Sequence, residues 1–138
     1  IVYFLGDFSF GGAETIIKDF NDLNGQIKFI MGNHDYQNKI DKLFKLGRLP
    51  KNVEMLGDYH EEKFPLAHIN KHINIAMFHY PISSWHHAYS GTMHFHGHCH
   101  GKLIEKVENR FDVGWDVEKR IFSLEELLEK RVDKTEPK

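Results

Sequence analysis

The sequence holds a single cysteine, Cys99, in 138 residues. No internal disulfide can form, and a reducing, cytoplasmic setting is the expected home. No apolar run approaches the roughly 18 residues of a membrane-spanning helix. The apolar stretch at residues 1–5 lacks the basic lead of a signal peptide. An excess of either charge is also missing: 18 Lys and Arg face 20 Asp and Glu, a net charge of −2 with histidine neutral. That balance gives no strong nucleic-acid signal, because electrostatic binding to nucleic acid needs a basic face. Internal repeats and low-complexity linkers are absent, so one domain is expected over residues 1–132, followed by a charged tail at 133–138 that frays. The composition, 41% hydrophobic and 28% charged, is that of a globular chain able to bury about 65–70% of its unfolded surface.

Histidine is what the sequence has in excess. There are 11, and seven of them fall between His79 and His100. Histidine is the commonest metal ligand and titrates near neutrality.

Local patterning predicts an α/β fold. Residues 1–5 read as a fully buried strand stopped by Gly6. Residues 13–23 read as a helix with Ile16, Ile17, Phe20 and Leu23 on one face. Residues 26–31 form a second strand, ended by a turn at Gly32, Asn33, His34 and Asp35. A second amphipathic helix follows over 37–46. The remainder is richer in strands, expected at 53–56, 59–64, 74–78, 92–96, 103–107 and 112–116, with a loop at 81–91. Ser123 and Glu126 form a capping-box pattern before a last short helix. Strands dominating after an α/β start predict two packed sheets.

Four polar clusters each follow a predicted strand: Gly6-Asp7, then Gly32-Asn33-His34-Asp35, then His79-Tyr80-Pro81, then His96-Gly97-His98-Cys99-His100. Ligands of open α/β sheets bind beyond the carboxyl ends of strands. Taken singly, each has an ordinary explanation: a turn for Asp7, a helix cap for Asp35, a hydrogen-bonded core histidine for His79, a His-rich surface strand for His94 to His100. Gly97 argues against a plain strand there. His60, His68, His72, His86 and His87 read as solvated surface. Alternation turns Cys99 opposite to His98 and His100, as a small bystander.

In this order the clusters resemble the calcineurin-like metallophosphoesterase superfamily, and the likeness runs from Gly6 to the closing helix. Phe78 to Ile82 and Val113 to Asp116 look like small bacterial or phage members. The resemblance implies an αββα sandwich, two packed β-sheets flanked by helices. It also implies two divalent metal ions (Mn, Fe, Ni or Zn) and a phosphate ester as substrate, with nucleotides among the candidates. Asp7 would bridge the two metals. Asn33, His79 and His98 would complete one site with it, and His100 would bind the other. His34 would protonate the leaving oxygen, with Asp35 orienting its ring. Physically, a carboxylate can touch two ions held ~3.5–4 Å apart, whereas neutral imidazole and amide ligands keep the site positive for an anionic ester. The metals would generate the attacking hydroxide at neutral pH.

The family pattern opens with a further strand ending in Asp-x-His, and this sequence, which starts at Ile1, has no such element. The expectation is a first strand missing, one well-filled metal site, one poor site, and an exposed edge beside residues 1–5 that favours low solubility or dimerisation. A non-catalytic remnant that binds one metal or a phosphorylated ligand is the alternative. Two rivals fit less well. A metallo-β-lactamase pattern lacks its Asp. A cupin barrel using His98, His100 and Glu105 does not suit the early helices.

Overall fold

The computed structural model describes residues 1–37, 39–66 and 69–132. The tail at 133–138, and with it the expectation that it frays, lies outside these residues, as does His68. The protein is α/β with two sheets. It divides into two compact units, Ile1–Tyr59 and His60–Lys138.

The first unit is a parallel three-stranded sheet in the order β1-β2-β3, with β1 at Val2–Phe4, β2 at Ile27–Ile30 and β3 at Val53–Gly57. Parallel neighbours need crossover connections. These are α1 (Ala13–Asn21) between β1 and β2, and α2 (Asn33–Gln37) with α3 (Ile40–Lys45) between β2 and β3. The apolar spacing of Ile16 and Phe20 on α1 and of Ile40 and Leu43 on α3 places them over Ile27, Phe29 and Met31 in one buried cluster. Phe20 lies edge-on to Phe29 and stacks on Phe8 with centroids 4.0 Å apart. Phe8 thereby fastens the chain just after Asp7 to the core.

Two expectations change here. β1 is half-buried, because it pairs on one side only, with β2. The turn expected at 32–35 is instead the start of α2. Beyond α2, Lys39 takes a left-handed conformation, so the helix expected over 37–46 is reduced to α3.

The second unit carries a four-stranded sheet in the order β4-β5-β6-β7: Tyr59–Leu66, Lys71–Phe78, Met93–His96 and Arg110–Asp112. β6 is parallel to both β5 and β7. Ile73, Ile75, Met77, Met93 and Phe95 are buried. β4 alternates between exposed and half-buried, as a strand with one wet face should.

Residues 103–107 are not a strand. Ile104 is 91% exposed, and the Glu105 carbonyl accepts from the Arg110 guanidinium rather than from a ladder partner. The strand expected at 112–116 ends at Asp112. There the Asp112 side chain captures the Gly114 N–H and turns the chain into a short helix, α4, at Trp115–Glu118. The closing helix α5, Leu124–Glu129, starts with the expected capping box. Among the described residues, no helix is long and apolar enough to cross a membrane.

Candidate metal centre

Each polar cluster stands where the sequence placed it, at a strand's carboxyl end. Asp7 follows β1 and Asn33 follows β2, two parallel neighbours. His79 follows β5 and His98 follows β6, again parallel neighbours.

In the first unit, Asp35 organises the backbone. Its side chain is fully buried. The carboxylate accepts N–H hydrogen bonds from Asp7 (2.7 Å), Phe8 (2.9 Å) and Gly32 (2.7 Å), which ties the loop after β1 to the loop after β2. Asp7 returns the contact: its Oδ1 accepts the His34 N–H at 3.0 Å. Asp7 holds φ +59°, a left-handed conformation uncommon outside glycine. Backbone of this kind persists only where the surroundings hold it, and it concentrates at functional sites. Burial pushes the Asp35 carboxyl upward, against the pull of its three N–H donors.

This arrangement corrects one expectation. Asp35 does not orient the His34 ring. Side chains one residue apart on a helix point in different directions, whereas those three apart are neighbours. The ring partner of His34 is accordingly Gln37, whose Oε1 lies 3.1 Å from Nδ1. Phe10 packs against the ring, with centroids 5.1 Å apart. Asn33 is half-buried at the first position of α2.

In the second unit, the Gly97 N–H donates to the His79 carbonyl at 3.0 Å, carrying strand pairing past the end of β6. His98 then turns left-handed, at φ +65°. The result is that His98 Nδ1 lies 3.2 Å from His79 Nε2, with Tyr80 packed on both rings. His79 is 1% exposed, while His98 faces solvent. The donor set fits a divalent transition metal. Two nitrogens each about 2.1 Å from one cation and 3.2 Å from each other subtend about 100°, between octahedral and tetrahedral values. The same separation also serves an N–H···N hydrogen bond, in which one ring donates to the other.

His100 takes a different partner. Its Nδ1 lies 2.5 Å from Asp116 Oδ2, on the exposed surface. Lys119 and then His100 hold the Asp116 carboxyl below its usual range. Cys99 is half-buried, and burial pushes its thiol up, in keeping with a bystander.

His94 and His96 are buried, not a surface strand. His94 bridges the Ala76 carbonyl and the Ile82 N–H, and burial lowers it to about 4. His96 is lowered by burial as well. Together with Arg110, which donates to the Ile82 carbonyl, His94 pins the start of the 81–91 loop. Trp85 closes that loop from inside: it is buried, donates to the Thr92 carbonyl and packs against His94. Tyr89 is 89% exposed. His72, His86 and His87 are exposed as expected, and half-buried His60 pairs with Glu62. His86 pairs with Glu61 beside a cavity of about 310 Å³ lined by Glu61, Glu62, Lys63, Asn74, His86, His87 and Thr92, none of them a candidate ligand.

Gln37, Asp112 and Asp116 are the contributors that sequence patterning missed. Only Gln37 had a usable signal, its i, i+3 spacing from His34. Comparison of the chain with protein-family models, with curated proteins and with solved structures found no match.

Proposed function

We propose that the protein is a metal-dependent phosphoesterase with a metallophosphatase-like fold. The observation that carries this reading is the pair of imidazole nitrogens, His79 Nε2 and His98 Nδ1, 3.2 Å apart at the carboxyl ends of adjacent parallel strands. The order of the motifs along the chain, with Asp7 and Asn33 after β1 and β2, supports it further.

In this reading His79 and His98 would hold one divalent ion, with Asp7, Asn33 and His100 as the further candidate ligands. Bound ions would neutralise the ester's charge and make a nucleophile from water near neutral pH. The chain's own residues do the rest. His34 binds phosphate and gives a proton to the departing ester oxygen as the P–O bond breaks, so that water and ester become phosphate and alcohol. Its Nδ1 is engaged with Gln37, which leaves Nε2 for that transfer. Asp35 holds the two ligand-bearing loops at fixed spacing. Asp7, as the only carboxylate among the ligands, limits the negative charge facing an anionic substrate.

The test is hydrolysis of a chromogenic phosphodiester and a chromogenic phosphomonoester with Mn²⁺. Turnover of either that falls about 10²–10⁴-fold in His34→Ala, with Mn²⁺ still bound, is the expected result. A His34→Ala chain as active as the original would contradict it.

A further inference from the structure

We propose that Asp116 is the positioning residue for His100: it fixes the ring with Nδ1 as hydrogen-bond donor, so that Nε2 is presented as the metal-binding nitrogen. The metal half of this proposal rests on the phosphoesterase reading.

The local chain is built around that contact. After β6 the backbone closes on itself, with the Cys99 N–H donating to the Gly97 carbonyl at 2.7 Å and the Lys102 N–H to the Cys99 carbonyl at 2.9 Å. His100 and Gly101 are both left-handed, at φ +53° and +73°. The Asp112 carboxylate accepts from the Gly101 N–H at 2.9 Å and from the Gly114 N–H at 3.0 Å, so one side chain anchors the turn after β6 and the start of α4 together. A Cβ placed on Gly101 would lie 3.6 Å from the Val117 Cα, which shows how closely α4 sits on the turn. From the first turn of α4, Asp116 reaches the His100 ring with Oδ2, and Lys119 donates to its Oδ1 at 3.0 Å.

An exposed ion pair of this kind adds little to stability. Its effect falls on the ring. The nitrogen that carries the proton is set by the hydrogen bond the ring makes, and a carboxylate on Nδ1–H leaves Nε2 with its lone pair outward. This pairing of carboxylate and imidazole is the arrangement that orients histidine ligands at metal sites.

Two readouts test it on the full chain. The first is the long-range ¹H–¹⁵N imidazole spectrum of the metal-free protein at a pH where the rings are neutral. His100 should show a protonated Nδ1 in the wild type and in Asp116→Asn, whose side-chain oxygen can accept the same proton. It should shift toward protonated Nε2 in Asp116→Ala. The second is Mn²⁺ titration by calorimetry, in which Asp116→Ala should weaken one class of site 10- to 100-fold and Asp116→Asn less. Near-UV circular dichroism confirms that both variants fold.

A His100 tautomer unmoved by Asp116→Ala overturns the proposal. So does a shifted tautomer with unchanged Mn²⁺ affinity, which would leave Asp116 a surface contact only. A wild-type chain that binds no Mn²⁺ overturns the phosphoesterase reading and the metal half with it, while the spectrum still decides whether Asp116 holds the ring.

Discussion

Asp35 in the first unit and Asp112 in the second do the same job at different depths. Each uses one carboxylate to capture backbone N–H groups from two successive strand-end loops. Asp35 joins the loops after β1 and β2, and Asp112 joins those after β6 and β7. Asp35 is fully buried and holds three donors, whereas Asp112 is half-buried and holds two. Water can replace part of what Asp112 provides but little of what Asp35 provides. A carboxylate that captures backbone N–H groups can hold two strand-end loops together, and burial sets how much the fold depends on it.

The sharpest way to break the comparison is Asp35→Ala. It leaves three N–H groups without their acceptor, that of Gly32 buried and those of Asp7 and Phe8 half-buried, each costing about 1–3 kcal/mol. A loss of about 4 kcal/mol or more in urea unfolding is expected, a large part of the roughly 5–15 kcal/mol of an ordinary domain. A loss under about 1 kcal/mol would show that the first unit does not depend on the clamp.

Acid should separate the units next, because among the described residues the histidines that burial lowers, His94 and His96, both belong to the second. His94 is lowered by burial to about 4 in the folded chain, against about 6.5 unfolded. Between these values the unfolded chain binds the proton and the folded chain does not, so stability rises with pH. The contribution is complete above about pH 6.5 and declines as pH falls toward 4, by roughly 3 kcal/mol for the one ring. His94→Gln keeps a donor and an acceptor without the titration, and its stability should fall less steeply between pH 7 and 5. Parallel pH profiles for the two chains would contradict this account.

The smallest expected effect is that of Asp112→Ala. Half-burial and access to water should limit the loss to about 1–2 kcal/mol. The same variant should loosen the 97–101 turn, seen as faster amide exchange at Gly101. A cost equal to that of Asp35→Ala would erase the difference in depth on which the comparison rests.

Much of this could be read before the structure, for physical reasons that differ by element. The strands preceding Asp7, Asn33 and His79 are short apolar runs with β-branched or aromatic residues and glycine or polar stops. The capping box at Ser123 carries its own geometry. What failed shares a cause, namely inference from neighbours in sequence. Asp35 adjoins His34, but on α2 adjacent side chains diverge, and the ring goes to Gln37. Residues 103–107 include Leu103, Ile104 and Val107 and read as a strand, yet Ile104 points into solvent and Arg110 takes the Glu105 carbonyl. Residues 112–116 read as a strand as well, but Asp112 folds its side chain onto Gly114 and Gly101 and ends the strand. The clamps at Asp35 and Asp112 were illegible because their partners are backbone N–H groups, which leave no mark in residue type.

The phosphoesterase reading stands on His79 and His98 as a pair that would hold a divalent metal ion. The most direct measurement is elemental analysis of the folded chain after gel filtration in Mn²⁺, beside His79→Ala and His98→Ala. The account predicts at least one ion per wild-type chain, lost from both variants. A folded wild-type chain without metal, or variants that keep as much as the wild type, would contradict it.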